Sequence, residues 1–450
     1  MNISMMLNLL HALKQLRSHE TWTRQQLEAY QVKALRGLRQ YAYEKSPFYQ
    51  RFHKGLTDRP LRELPVLTKS LMMENFDELV TDRTIRLEEV RASAAQAEAG
   101  QRYKNRYWIN ATSGSSGHPG FFLFDDTEWT VILASFARGQ EWSGVQINLT
   151  HQQKMATVAS ISPWHMSSQV AATASSWWRP SLRLPASQSL QKTVEQLNHW
   201  QPEVVISYAS MAGALAEEQL AGRLRIDPKV VYVASEVLTS QIRQRVKAAW
   251  GDEPFNQYAA TETAGIASEH RACRHMHFYE DLVISEIVDE QYRPVPPGEY
   301  GAKILVTTVF SRTQPLIRYE LNDSVRVDSS PSSCGLSFAV LESVQGRVED
   351  SLTLPGISGG EVVIRPLVIN RIMDIAPVTG WQVNQQADQG LIILLRGPSN
   401  GMTDERLADQ FGKSLLEEGA RVPYVRIQHV DEIPKSAAGK APLIRSYQHS

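Results

Sequence analysis

The 450-residue chain predicts an α/β protein: a large N-terminal body of several α/β subdivisions, followed by a small C-terminal α/β unit. Three observations carry that expectation. Between residues 190 and 258, stretches of helical periodicity alternate with short apolar runs. After Glu280 the texture turns to strand-like runs separated by Pro294, Pro296, Pro297 and Gly298. Past Gly346-Arg347 the pattern breaks, and a strand–helix–strand order reappears over 391–430.

The N-terminal residues 1–10 are mostly apolar, but they lack a basic start and a small-residue cleavage site, and His11 and Lys14 follow at once. They read as an amphipathic helix docked on the body or on a partner. Residues 20–54 are helical, interrupted at Ser46-Pro47-Phe48-Tyr49. The run 106–109 is a short strand, and a helix capped by Asp126 or Thr127, with Glu128 in its first turn, extends to about Gly139. Helices at 190–200, 210–221 and 239–250 alternate with strands at 204–208 and 230–234 and an apolar stretch ending at Tyr258. Short links between them imply parallel strands covered on both faces. Strands at 282–288 and 302–309 suggest a more antiparallel subdivision.

Bulk composition narrows the function classes. Hydrophobic residues are 42% and charged residues 21%, as in ordinary globular proteins. Lys and Arg number 47 against 48 Asp and Glu, a net charge of −1, which argues against a nucleic-acid binder held by bulk charge. Two cysteines cannot build a disulfide framework, so a cytoplasmic setting is expected. No run of about 18 apolar residues occurs, so no membrane span is expected.

Between the 106–109 strand and the following helix lie Thr112, Ser113, Gly114, Ser115, Ser116, Gly117, His118, Pro119 and Gly120. Such a stretch is a loop whose bare backbone approaches a ligand closely, and converging N–H groups and hydroxyls make a nest for an anion, usually phosphate. Its spacing is not that of a kinase-type phosphate loop, because Pro119 stands at the second glycine position and no lysine follows. Nor is it a nucleophile elbow, since His118 replaces the last glycine. On composition alone a Ser/Gly surface loop that binds nothing is an equal alternative.

Further motifs stand in order. They are Ala234-Ser235-Glu236, Gln257-Tyr258-Ala259-Ala260-Thr261-Glu262, Pro315-Leu316-Ile317-Arg318-Tyr319-Glu320-Leu321-Asn322-Asp323, Gly346-Arg347-Val348-Glu349-Asp350, and Pro434-Lys435-Ser436-Ala437-Ala438-Gly439-Lys440. With the 112–120 loop, and with Ser46-Pro47-Phe48-Tyr49 and Leu64-Pro65-Val66-Leu67-Thr68-Lys69, the set resembles the adenylate-forming (ANL) superfamily of acyl-CoA synthetases, in its phenylacetate–CoA ligase-like, CapK-type branch. The resemblance implies an adenylation domain over 1–348 carrying the ATP and acyl sites, and a mobile lid domain over 349–450. Hinge residues would be Glu349 and Asp350, and the lid would swivel between adenylation and thioester formation.

By the same resemblance, Thr112, Ser113, Gly114, Ser115, Ser116 and Gly117 bind the β- and γ-phosphates of ATP. Ser235, Glu236 and Tyr258 belong to the nucleotide site, Thr261 bonds the α-phosphate, Glu262 ligates Mg²⁺, Asp323 accepts from the ribose hydroxyls, and Arg347 contacts phosphate or ribose. Lys440 would bridge the acid's carboxylate and the α-phosphate. Trp164, His165, Tyr208, Tyr258 and Ala259 would wall the acyl pocket, which favours an aryl acid. Taken singly, Glu262 suits a helix cap near Thr263, Asp323 a turn, Arg347 a surface ion pair and Lys440 a solvated tail.

The chain departs from the family pattern at several places. His118 stands where lysine is common, so the loop must rely on backbone N–H groups and hydroxyls. Ala259 replaces a glycine, and Leu321-Asn322 replaces Thr-Gly. Cys273, His275, His277 and Cys334 resemble a zinc site of the branch, but Ser332 occupies a cysteine position and a hydroxyl is a poor zinc ligand. The residues alone therefore favour two unpaired thiols. The function expected is an ATP-dependent acid ligase that makes an acyl- or aryl-adenylate and transfers the acyl group to CoA. The alternatives are loading of a carrier protein or an amine or hydroxyl acceptor, and a non-catalytic nucleotide-binding relative. A homodimer is a further expected partner arrangement.

Overall fold

The computed structural model describes residues 3–447 except 97, 113–118, 146–151, 176–178, 331, 333, 348–350, 374–375, 377, 398–402 and 437–438. Among the described residues, nine strands form the central sheet in the order Asp323–Val327, Val340–Arg347, Met276–Phe278, Ala264–Glu269, Phe255–Ala260, Val230–Ala234, Val204–Ser207, Met155–Ala159, Ser181–Pro185. The half from Phe255–Ala260 to Ser181–Pro185 is parallel, as the helix–strand alternation predicts. The other half is antiparallel, and it starts where a tight turn, not a helical crossover, joins Phe255–Ala260 to Ala264–Glu269.

An antiparallel sheet of Val283–Val288, Lys303–Thr308 and Tyr319–Leu321 follows the Pro-rich texture change. The C-terminal sheet joins Val425–His429, Leu391–Arg396, Gly380–Gln385 and Ile444–Arg445. Its apolar face carries Val383, Ile393 and Ile444, packed with Ile369 and Phe411 in a cluster drawn entirely from residues beyond 351.

Local sequence explains most helix starts. Thr23 and Gln26 form a capping box before Arg24–Lys45. Ser189 and Thr239 accept N–H bonds at the starts of Leu190–Trp200 and Ser240–Trp250. The helix Asp126–Trp142 begins one residue earlier than expected: Asp125 is the cap, accepting from Thr127 N and Glu128 N, while Glu128 Oε2 accepts the Asp125 N–H at 2.7 Å. This helix lies against the sheet at Gly139. A Cβ there would meet the Tyr232 hydroxyl at 2.2 Å and Ser268 Oγ at 2.6 Å, so only glycine permits the approach.

The N-terminal helix Ile3–His19 docks on the body, burying Leu13 and Leu16 in the main core and leaving Met6, Leu7 and Leu10 exposed. Its seat is ionic as well as apolar. Arg138 donates to both Asp281 oxygens, at 2.8 and 2.6 Å, and to Leu16 O at 3.1 Å, while His19 Nδ1 lies 2.8 Å from Asp281 Oδ2. The Arg138 and Asp281 side chains are 1% and 0% exposed. Burial alone would raise the Asp281 carboxyl, but the Arg138 charge and its hydrogen bonds outweigh it and hold the group down at about 2.

Asp281→Ala leaves a guanidinium buried without its counter-ion and is expected to cost about 3–5 kcal/mol, read as a lower urea midpoint. The folded-state pKa lies below the unfolded value of about 3.9. The carboxylate's contribution is therefore complete above that value and is lost as pH falls toward 2. Wild-type and Asp281→Asn stabilities are expected to converge across that window.

Candidate active site

Register brings the carboxyl ends of the parallel strands to one edge: Val158 pairs with Ser207, Ser207 with Val233, and Ala234 with Gln257, beyond which the last strand runs on to Ala260. Whatever follows each strand therefore emerges on one edge, where ligands of open α/β sheets bind. Ser160 follows the first of these strands, Tyr208 the second, Ser235 and Glu236 the third, and Thr261 and Glu262 the fourth.

On one side of this edge the Ser160 N–H donates to the Tyr208 hydroxyl at 2.9 Å, and His165 Nδ1 lies 2.6 Å from Ser160 Oγ. Lys440 reaches in from the C-terminal unit, its Nζ 5.6 Å from the centre of the Tyr208 ring. Burial, with the Lys440 charge second, lowers the His165 pKa and so favours the neutral imidazole. Burial also pushes the Tyr208 hydroxyl up to about 12. Glu236 accepts the Ser210 N–H and the Ala441 N–H, each at 2.8 Å. Burial raises this carboxyl, opposed by those two backbone donors and by Lys440.

On the other side the Tyr258 hydroxyl donates to Asp323 Oδ2 at 2.8 Å. The register irregularity between Tyr258 and Ala259 is a bulge of the kind that re-aims side chains at sheet edges. Asp323 pairs across the sheet with Arg347, which is placed by that register alone. Glu262 is 7% exposed, and Ala264, at φ 63°, opens a strand rather than a helix. The helix-cap reading of Glu262 is thereby overturned: a left-handed residue ends the turn and the chain reverses into Ala264–Glu269.

Thr112 accepts the Gly120 N–H on its Oγ1 at 2.8 Å and donates its own N–H to Gly120 O at 3.0 Å, which fastens the two ends of the Ser/Gly loop. Ser113, Gly114, Ser115, Ser116, Gly117 and His118 lie outside the described residues, as do Glu349 and Asp350. Of the expected pocket walls, Tyr208 and His165 join Lys440, whereas Tyr258 faces Asp323. Trp164 packs against the cluster containing Ile109 and Phe121, and its carbonyl accepts the Ala111 N–H at 2.9 Å.

Away from this edge, His277 Nε2 lies 3.4 Å from Cys273 Sγ, 3.3 Å from Cys334 Sγ and 3.4 Å from Ser332 Oγ. Its Nδ1 sits 3.2 Å from Phe338 O, which turns the lone pair of Nε2 toward the thiols when Nδ1 carries the proton. Donor atoms of His270, Cys273 and Cys334 all fall within 4.8 Å of one another. His270 is the histidine that joins the thiols there, while His275 gives its carbonyl to the His270 N–H. A cleft between the body and the C-terminal unit adjoins the site at Ser210 and Ala441, walled by Met211, Ile242, Arg245, Trp381, Arg396 and Leu443.

No family model matches the chain. It is 22% identical over 357 residues to phenylacetate-coenzyme A ligase of Thermus thermophilus, covering 75% of this chain and 74% of that one. It is 22% identical over 321 residues to Protein CapK of Staphylococcus aureus, covering 66% of this chain and 61% of that one. Among solved structures it is similar to 2-hydroxyisobutyryl-CoA ligase in the postadenylation state with 2-HIB-AMP, at TM-score 0.71 and 18% identity over 96% of this chain and 92% of that one. Anthranilate CoA ligase AuaEII with anthranoyl-AMP superposes at TM-score 0.50 and 16% identity, over 74% and 65% of the two chains. The chain is thus similar in sequence to phenylacetate-coenzyme A ligase and Protein CapK, and shares the fold of adenylate-forming CoA ligases.

Three features of this site carry no motif in the sequence. Ser160 is an ordinary serine until the fold sets it between His165 and Tyr208. Ser210 acts through its backbone N–H, which no side-chain pattern reveals. His270 precedes Cys273 by three residues, a spacing that the nearer His275 and His277 obscure. No helix among the described residues is long and apolar enough to cross a membrane.

Proposed function

We propose that the protein is an ATP-dependent carboxylic acid ligase that forms an acyl- or aryl-adenylate and passes the acyl group to CoA. The observation that carries this reading is the meeting of Lys440 with Tyr208, His165 and Glu236 at the sheet edge that also bears Thr261, Glu262 and the Tyr258–Asp323 pair. It is supported by the CoA ligases to which the chain is similar.

In the first step a carboxylate oxygen bonds to the α-phosphorus of ATP, and the bond to the pyrophosphate oxygen breaks. Two anions must approach, so the site has to supply positive potential and hold geometry. Lys440 would sit between the carboxylate and the α-phosphate, with Thr261 bonding the α-phosphate. The loop ended by Thr112 and Gly120 would hold the leaving pyrophosphate, and Arg347 would add charge. Asp323, held by Tyr258, would orient the ribose. The buried carboxylate of Glu262 is a fitting oxygen donor for Mg²⁺, which when bound would neutralise phosphate charge. In the second step a thiol sulfur bonds to the acyl carbon, and AMP leaves with its phosphate oxygen. We place the boundary between the two domains at 348/349, with Glu349 and Asp350 as the hinge.

An aryl acid fits the ring of Tyr208 and the imidazole of His165 as walls. A carrier-protein thiol in place of CoA is the second reading, favoured by the exposed Met6, Leu7 and Leu10 on the N-terminal helix. A product assay offering both thiols discriminates the two. The function as a whole is tested by acid-dependent pyrophosphate exchange over aryl, short-chain, hydroxy and amino acids. Exchange with at least one acid is expected, and none with any acid despite ATP binding would leave only the fold.

We also propose that Cys273, Cys334 and His277 hold a structural zinc ion, with His270 within reach of the same two thiols. A tetrahedral zinc with nitrogen and sulfur ligands sets those atoms about 3.6 Å apart, close to the 3.3 and 3.4 Å seen around His277 Nε2. The Phe338 carbonyl is the outer partner that such histidines usually have.

Lys440→Ala is expected to lower adenylate formation by about 10²- to 10³-fold, the effect of losing a group that stabilises developing charge, while sparing thioester formation from pre-made acyl-adenylate. Equal loss in both half-reactions would remove the swivel. Protein purified without chelator is expected to contain one zinc per chain by elemental analysis, and Cys334→Ser to lose it. Wild-type protein free of zinc would end that assignment.

A further inference from the structure

The described residues of the lysine-bearing segment, Ser436, Gly439 and Lys440, are bonded to one another. Ser436 N–H donates to Lys440 O at 2.7 Å, Gly439 N–H to Ser436 O at 2.8 Å, and Lys440 N–H to Ser436 Oγ at 3.3 Å. Two surfaces of the body grip it. On one, Gly439 stands at φ +80°, and a Cβ there would come within 2.7 Å of Ala186 Cβ, 2.8 Å of Ala186 C and 2.9 Å of Ser187 N. Two of those three atoms are backbone and cannot swing aside, so the segment lies flat on the link after Ser181–Pro185 only because residue 439 is glycine.

On the other surface stands Glu236. Ser235, at φ 69°, reverses the chain just past the strand Val230–Ala234. The carboxylate that follows uses its two oxygens separately. Oε2 accepts the Ser210 N–H at the start of the helix Ala209–Leu220, and Oε1 accepts the Ala441 N–H, the residue next to Lys440. One side chain thus ties the rigid sheet edge to the C-terminal unit. Contacts farther out support the same orientation: Glu217 pairs with Arg245 and Arg396, each at 2.9 Å, and Gln241 donates to Ala376 O at 2.7 Å.

We infer that Glu236 is a positioning residue for Lys440: a carboxylate latch that holds the lysine segment at the site for adenylate formation and releases it for thioester formation. The inference rests on the two-step reading above. It differs from a nucleotide-binding role for Glu236 in what the carboxylate is seen to hold: each oxygen accepts a backbone N–H, one from either side of the domain junction. Charge-assisted bonds of a carboxylate to N–H groups are among the stronger hydrogen bonds, yet two of them are few enough to break and remake in a catalytic cycle. A glutamine cannot replace the latch. Both partners are donors, so one of them would face an NH₂ group instead of an oxygen.

The test measures the two half-reactions separately in the full-length protein. Glu236→Gln and Glu236→Ala are expected to lower acid-dependent pyrophosphate exchange ten- to hundredfold with the KM for ATP changed less than about threefold. Thioester formation from pre-made acyl-adenylate should hold steady or rise. Gly439→Ala, which lifts the segment from the opposite side and touches no nucleotide residue, should give the same split. A rise in the KM for ATP with equal loss in both half-reactions would make Glu236 a nucleotide ligand and overturn the latch. Amide hydrogen exchange supplies a readout independent of activity. The peptide covering 439–445 should exchange faster in Glu236→Ala than in wild type, and unchanged protection would overturn the inference. Wild-type protein that shows no exchange with any acid, yet protects Ala441 through Glu236, would count against the adenylation reading and not against the latch.

Discussion

The parallel register of Met155–Ala159, Val204–Ser207, Val230–Ala234 and Phe255–Ala260 is the constraint on which the rest of the structure depends. Hydrogen bonding between parallel strands fixes this register and points all four carboxyl ends the same way, so residues far apart in the chain leave the sheet at one edge. Ser160, Tyr208, Glu236 and Thr261 share that edge for this reason and no other. A slip of one residue in any strand would turn its side chains to the opposite face, burying what must meet ligand. The antiparallel half adds Asp323 and Arg347 to the same sheet by cross-strand pairing.

That edge is held still by what packs beneath it. The helix Asp126–Trp142 meets the sheet through Gly139, close enough for Tyr232 and Ser268 to occupy the space of a missing side chain. One residue before that glycine, Arg138 with Asp281 binds the N-terminal helix into the core. A buried ion pair of this kind adds little net stability over an apolar pair of the same shape. What it does here is specify one seat for the helix Ile3–His19, because a misplaced guanidinium in an apolar core would find no counter-charge.

Much of this architecture was legible in the sequence. Helices such as Leu190–Trp200 and Asp404–Glu417 follow from periodicity and from Ser189 and Thr403 as caps. The Pro-rich stretch 294–298 marks the change to antiparallel strands. The error was local: Asp125 rather than Asp126 caps its helix, since neighbouring aspartates are indistinguishable by composition. At the site, Tyr258, Thr261, Glu262, Asp323 and Lys440 stand in recognisable motifs. Ser160, Ser210 and His270 do not, because a backbone amide or a lone serine carries no pattern until other strands surround it.

Sequence alone therefore determined the element types, the order of the motifs and the chemical character of each site group, since these depend on local spacing and side-chain chemistry. Only the tertiary structure decided which groups meet. The Tyr258–Asp323 hydrogen bond spans 65 positions and the Glu236–Ala441 bond spans 205. Whether such pairs form is set by register and by the docking of one unit on another, which are properties of the packed whole. The segment at Gly439 joins the two levels. Its glycine is visible in the sequence, but the reason for it is the Ala186–Ser187 backbone lying against it in the fold.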